Sequence, residues 1–162
     1  DINKKMVQAL AMVGLPEKIL KSKISVLTSG EKKLLQIAVS IIYNPDIIIF
    51  DEVFTELDRI NTKKIINLIK ELKNKYNKTV IIVSNNVNLL YEITDDIVIL
   101  KKGHVLVTGQ TSEVYQNINI LKTTKIDIPD LVRFTLLAKS KKVKLSFHRD
   151  IRDLIKDVYK HV

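Results

Sequence analysis

Two adjacent acids, Asp51 and Glu52, close the apolar run Ile47-Ile48-Ile49-Phe50. Four branched or aromatic residues in a row read as a strand buried on both faces, and carboxylates at the carboxyl end of such a strand lie where open α/β sheets bind ligands. One carboxylate there can hold Mg²⁺ directly or through water, and its neighbour can polarise an attacking water. Upstream, Thr28-Ser29-Gly30-Glu31 opens a helical pattern. Such a turn offers a phosphate a hydroxyl, unpaired N–H groups and the positive end of a helix dipole. A plain helix cap explains the turn taken alone, and the acids downstream shift the balance toward nucleotide hydrolysis. The loop that normally holds the nucleotide, G-x-x-x-x-G-K-[ST], is not in the sequence: its glycines are Gly14, Gly30, Gly103 and Gly109, and none precedes a lysine.

The elements that must position these groups follow from periodicity. Met6, Val7, Leu10 and Val13 recur at helical spacing until Gly14 and Pro16 stop the pattern. From Glu31 to Tyr43, Leu34, Leu35, Ile37, Ala38, Ile41 and Ile42 form a wide apolar face that ends at Asn44-Pro45. After the Ile47–Phe50 strand, Asp58 is expected to cap a helix carrying Ile65, Ile69, Leu72 and Tyr76, and Thr79 to Ser84 reads as a second buried strand. Strand, helix, strand in that order predicts a parallel pair. A short helix around Leu89 and Leu90 precedes two strands, Ile97–Lys101 and Val105–Thr108, joined through Lys102-Gly103 as an antiparallel hairpin ending the sheet. Thr111 is expected to cap a helix reaching Tyr115, and two further helical patterns, Asp130–Ala138 and His148–Val158, follow the break at Asp127-Ile128-Pro129.

The 162 residues suffice for a real core, and an apolar fraction of 46% with three prolines argues against disorder. No apolar run approaches the length that spans a bilayer, so a soluble protein is expected. Without cysteine, disulfides and thiolate metal sites are excluded. The net charge of +9 is spread along the chain rather than gathered with aromatics, so no specific nucleic-acid partner is expected. A basic flank at Lys139, Lys141, Lys142 and Lys144 suits acidic lipid head groups.

Taken in order, these residues resemble the second half of an ABC ATPase, the nucleotide-binding subunit of ABC transporters. Leu27-Thr28-Ser29-Gly30-Glu31 matches the signature motif, Ile47 to Glu52 the Walker B strand, Thr55-Glu56-Leu57-Asp58 the D-loop, and Ser84-Asn85-Asn86 the switch. The resemblance runs from the opening helix to Tyr115 and implies an α/β fold. That fold would be the C-terminal part of an ABC-type P-loop NTPase, a parallel sheet with flanking helices and an antiparallel edge hairpin, plus a small helical C-terminal appendix. The implied parts are residues 1–30, the end of a helical subdomain with the signature loop; 31–116, the ATPase core; and 117–162, the appendix. ATP and Mg²⁺ are the implied cofactors. Glu52 stands at the catalytic base, Asn85 at the switch-histidine position, and Asp51 at the Mg²⁺ ligand acting through water. Thr28, Ser29, Gly30, Glu31 and Asp58 are implied to meet ATP held by a second, homologous or identical subunit. A transmembrane coupling subunit completes the implied assembly, at the cytoplasmic face of the membrane. With the phosphate loop and Gln loop absent, the chain is expected to be part of a longer protein and inactive by itself.

The run from Ile93 to Tyr115 resembles import-type ATPases, and the tail from Ile120 to Lys139 is similar to energy-coupling factor (ECF) and cobalt-importer ATPases, which implies vitamin or transition-metal uptake. The departures are specific: Asn85 for histidine, Ser29 for glycine, Val53 for proline, Glu56 for a small residue and Glu31 for glutamine. They fit a degenerate site, which leaves two alternatives beside the importer: a catalytically silent ABC module kept as a structural or regulatory partner, and a soluble ABC protein acting on nucleic acid or the ribosome.

Overall fold

The computed structural model describes residues 2–55 and 57–160, and Glu56 of the D-loop match lies outside them. The chain divides into two units, one ending at Asn85 and the other beginning at Asn86.

In the first unit, helix α1 (Ile2–Met12) buries Ala9 and Leu10, and Gly14 turns the chain at φ +72°, a conformation costly for any side chain. Two short 3₁₀ turns, Glu17–Lys21 and Ile24–Val26, lead into α2 (Ser29–Ile42), whose Leu34, Ile37, Ala38 and Ile41 are buried as the apolar spacing requires. Asn44 adopts φ +50° just past α2 and releases the chain into β1 (Ile47–Asp51). Helix α3 (Arg59–Asn74) buries Ile65, Leu68, Ile69 and Leu72, then returns the chain to β2 (Thr79–Val83). The strands are parallel, paired from Ile47 with Thr79 to Asp51 with Val83. Tyr76 falls outside α3, because the helix ends at Asn74 and the ring is exposed under the Lys75 ammonium.

Burial of these strands differs from the expectation. Along β1 only Ile48 and Phe50 are buried, whereas Ile47 and Ile49 are 59% and 64% exposed. Ile81 and Val83 of β2 are exposed likewise. Alternate residues of a strand point to opposite faces, and within this unit one face of the pair is covered while the other is open.

The second unit comprises α4 (Val87–Ile93), β3 (Asp96–Lys101), β4 (His104–Gln110), α5 (Thr111–Gln116), α6 (Ile118–Thr124), α7 (Asp130–Ser140) and α8 (Ile151–Tyr159). The two strands form an antiparallel hairpin with a bulge between Ile99 and Leu100. Its turn holds Lys102 at φ +52° and Gly103 at φ +79°, the doubly left-handed geometry that follows strand twist. The parallel pair and the hairpin are separate two-stranded sheets. Tyr91, Ile97, Val114, Tyr115, Leu121 and Val132 form the core, with the Tyr91 and Tyr115 rings edge to face at 5.7 Å.

Two helix starts differ from the sequence expectation. Thr111 is the first residue of α5 rather than its cap; its buried hydroxyl lies 2.9 Å from that of Thr94, while Gln110 occupies the cap position. Helix α8 starts at Ile151 because Asp150 caps it, accepting from Arg152 N at 2.7 Å, so His148 and Arg149 precede it. Arg149 instead donates to the carbonyl oxygens of Tyr91 and Thr94 at the end of α4.

Candidate functional site

Asp51 is the last residue of β1 and is exposed at the strand end opposite Val83. Glu52 follows at φ +44° and is held there: its N–H donates to Val83 O at 2.9 Å. A left-handed backbone at a residue other than glycine costs about 1–3 kcal/mol, and the carboxylate has partners that oppose this cost. Glu52 Oε1 accepts from the backbone N–H of Asn85 at 3.1 Å, and Oε2 accepts from the Thr55 hydroxyl at 3.2 Å. The register that sets Asp51 beside Val83 therefore also carries Asn85 to Glu52. Val53, where the resemblance expects proline, is buried.

The helix starts form a second cluster. Thr28 caps α2 through a reciprocal box: Glu31 N donates to Thr28 Oγ1 at 3.2 Å, while Glu31 Oε2 accepts from the Thr28 N–H and hydroxyl, each at 2.9 Å. The backbone hydrogen bond from Thr28, then that from its hydroxyl, hold the Glu31 carboxyl below its ordinary pKa, so it is ionised at neutral pH. Ser29 and Gly30 lie between these partners in the first turn, where backbone N–H groups have no acceptor within the helix. Those two N–H groups are the ones able to address an anion, and Glu31 sets a negative charge beside them.

Gly30 is buried, and a Cβ built on it would stand 2.8 Å from Asn61 Nδ2, with Leu57 Cδ2 at 4.0 Å. Asp58 caps α3 by accepting from Asn61 N at 2.7 Å. Thus Asp58 fixes Asn61, Asn61 stands against Gly30, and the signature turn meets the start of α3. The structure brings Asp51, Glu52 and Asn85 to the strand ends, and Thr28, Gly30, Glu31 and Asp58 to the paired helix starts. Sequence reasoning missed the roles of Thr55 and Asn61. Their signals were local: Glu52 to Thr55 and Asp58 to Asn61 are both i, i+3 pairs.

Among the described residues no group of three or more His, Cys, Asp or Glu could cage a metal. Hard carboxylate oxygen at Asp51 nonetheless suits Mg²⁺, which keeps several waters and takes one or two carboxylates along with substrate phosphates. Among the described residues no helix is long and apolar enough to cross a membrane.

No protein-family model matches the chain. Curated relatives do. The energy-coupling factor transporter ATP-binding protein EcfA2 of Mycoplasma mobile is 30% identical over 153 residues, 94% of this chain and 49% of the relative. The EcfA protein of Malacoplasma penetrans is 31% identical over 144 residues, 89% of this chain and 50% of the relative. The chain thus spans about half the length of the curated relatives it matches. Among solved structures, the dimeric ATP-binding cassette MJ0796 bound to ADP and Pi superposes with a TM-score of 0.62 at 30% identity, covering 67% of this chain and 46% of that one. By sequence the chain is a relative of the ATP-binding proteins of ABC transporters, energy-coupling factor proteins among them, and its fold is the C-terminal part of their ATPase cassette.

Proposed function

We propose that this chain is the signature-bearing part of the ATP-hydrolysing subunit of an ABC importer, of the energy-coupling factor type that takes up a vitamin or transition metal. The observation that carries the reading is the hold on Glu52, a carboxylate at a strand end gripped on both oxygens beside Asp51. Two features support a longer cassette: the relatives are about twice as long, and Ile47, Ile49, Ile81 and Val83 leave one sheet face open. The phosphate loop belongs to that remainder, so the 162 residues alone neither hold ATP tightly nor turn it over.

In this mechanism Asp51 is the residue that would hold Mg²⁺, and the metal would supply positive charge to offset that on the phosphate oxygens. Glu52 accepts the proton of the attacking water, and the two hydrogen bonds on its carboxylate fix where that proton goes. Asn85 occupies the switch position, able to bond a terminal phosphate but unable to titrate. Thr28, Ser29, Gly30, Glu31 and Asp58 face ATP held by a homologous or identical subunit. The pair acts on a transmembrane coupling subunit at the cytoplasmic face of the membrane.

The second reading, a silent module paired with an active one, is favoured by the ionised Glu31 beside the anion-facing N–H groups and by the amide at Asn85. Phosphate release by the full-length subunit with its partner, measured for the parent and Glu52→Gln, separates the two. A fall of roughly 10²-fold or more is expected for loss of a general base, and an unchanged rate identifies the silent module.

A further inference from the structure

Helix α7 starts without a cap of its own. Pro129 stands at the cap position and offers no side-chain hydrogen bond. The acceptor comes instead from α4: the Asp130 N–H donates to Asn88 Oδ1 at 2.7 Å, and Asn88 Nδ2 returns a bond to Asp130 Oδ2 at 2.9 Å. An acid in the first turn of a helix complements its dipole, which accounts for Asp130 taken alone. It does not account for an amide 42 residues away that meets both its N–H and its carboxylate.

Asn88 lies in the first turn of α4, just beyond the switch. Asn86 caps that helix, its side chain accepting from Leu89 N at 3.1 Å and its carbonyl from Leu90 N at 3.0 Å. The far end of α4 is tied to the same stretch of chain, since Arg149 donates to the carbonyl oxygens of Tyr91 and Thr94. A helix of seven residues is too short to be stable by itself, so these ties and the buried Leu89, Leu90 and Tyr91 hold it in place. Only the dihedrals of residues 85 and 86 lie between the Asn85 N–H and the start of α4. Whatever fixes the first turn therefore limits where that N–H can lie.

We infer that Asn88 and Asp130 are positioning residues for the switch: the fork between them fixes the first turn of α4, and with it the backbone N–H that Asn85 gives to Glu52. The role deepens the proposed function and rests on Glu52 being the base. Both side chains act through the main chain from residue 85 to 88 and not on the reacting groups. The stretch from Asp130 to Arg149, which carries none of the four motifs, thereby takes part in orienting the base.

The test is amide hydrogen exchange of the full-length subunit, resolved to single residues, beside steady-state phosphate release with its partner. Asn88→Ala and Asp130→Ala each break the fork and should speed exchange of the Asn85 N–H by about tenfold, the equivalent of one net hydrogen bond. The Asn117 N–H, bonded to Glu113 O at 3.1 Å elsewhere in the second unit, should exchange as in the parent. The reciprocal pair Asn88→Asp with Asp130→Asn closes the fork with its polarity reversed, because the carboxylate on α4 accepts from the α7 N–H and from the amide beside it. Exchange at Asn85 should then return to within about twofold of the parent. In turnover the alanine variants should lower kcat by about two- to fivefold at parental KM, the pattern of a base less well oriented rather than a nucleotide less well held. The reciprocal pair should recover that loss. Glu52→Gln in the same assay reads the proposed function by itself: if it leaves turnover unchanged, that function fails and the exchange measurement alone decides the role of the fork. The inference is overturned if Asn85 exchanges at the parental rate in both alanine variants, if Asn85 and Asn117 quicken alike, or if the reciprocal pair fails to restore Asn85. It is also overturned if kcat stays parental in the alanine variants while Glu52→Gln lowers it.

Discussion

Asn85 holds Glu52 through its backbone and not its side chain: the Asn85 N–H donates to Glu52 Oε1 at 3.1 Å. The residue that departs most from the resembling motif therefore keeps, through its main chain, a bond that any residue except proline could make. The side chain is left to its own chemistry.

That separation predicts two different outcomes at one position. Asn85→Ala preserves the N–H and hence the orientation of Glu52, so turnover by the full-length pair should fall by far less than the roughly 10²-fold at the small end of general-base effects. Asn85→His adds a ring that can bond and follow a terminal phosphate, and turnover should rise. Steady-state phosphate release across the three proteins checks both expectations. A collapse in the alanine variant would assign the hold on Glu52 to the side chain.

The capping box at Thr28 gives a pH dependence of definite sign. Its hydrogen bonds to Thr28 lower the folded-state pKa of Glu31 from an ordinary 4.5, so the box contributes fully above that value. The contribution is lost as pH falls through the folded value. Chemical unfolding followed between pH 7 and pH 3 should show this loss, and Glu31→Gln should flatten it. Thr28→Ala, which removes the hydroxyl from the same box, is expected to cost about 1 kcal/mol at pH 7.

Much of this fold was legible because its signals are local. The spacing of Leu34, Ile37, Ala38 and Ile41 set the buried face of α2, and Lys102-Gly103 set the hairpin. Asp58 was read as a cap and is one, closed by Asn61 three residues on. What periodicity could not give was how much of each strand is covered, since Ile47 and Ile49 are as apolar as Ile48 and Phe50 yet lie on the open face. Nor could it give contacts set by tertiary approach: Asn61 against Gly30 joins two helix starts, and Arg149 reaches Tyr91 across 58 residues. The site was readable by type and order, whereas the grip of Thr55 and Asn85 on Glu52 required the strand register.

Gly30 tests whether the signature turn is built for close packing. Alanine in place of a helical glycine gains about 1 kcal/mol of propensity, but its Cβ would press on Asn61 Nδ2 from 2.8 Å. The two effects should nearly cancel in Gly30→Ala, leaving stability within about 1 kcal/mol of the parent. Gly30→Val adds bulk that Asn61 cannot yield to, and should destabilise by about 1–3 kcal/mol. Asn61→Ala should recover part of that loss, so the pair of substitutions is non-additive in thermal unfolding. Strict additivity would place Gly30 and Asn61 out of contact.

Arg149 closes the end of α4, and its loss should be felt by the whole second unit. Its Nε donates to Tyr91 O at 2.7 Å, a second guanidinium N–H reaches Thr94 O, and the cation lies 5.8 Å from the centre of the Tyr91 ring. The last carbonyls of a helix have no partner within it, and these two are part-buried, so removing the guanidinium leaves them poorly solvated. Hydrogen bonds to a charged group contribute about 1.5–3 kcal/mol, and Arg149→Gln should cost about that much. Lysine carries the charge but not the planar fork, so Arg149→Lys should recover less than half. Near-ultraviolet circular dichroism of Tyr91 and Tyr115 during thermal unfolding reports this unit, because both rings are fully buried in its core. If Arg149→Gln melts within a degree of the parent, the guanidinium contributes little and α4 is held by the packing of Leu89, Leu90 and Tyr91 together with the hydrogen bonds between Asn88 and Asp130.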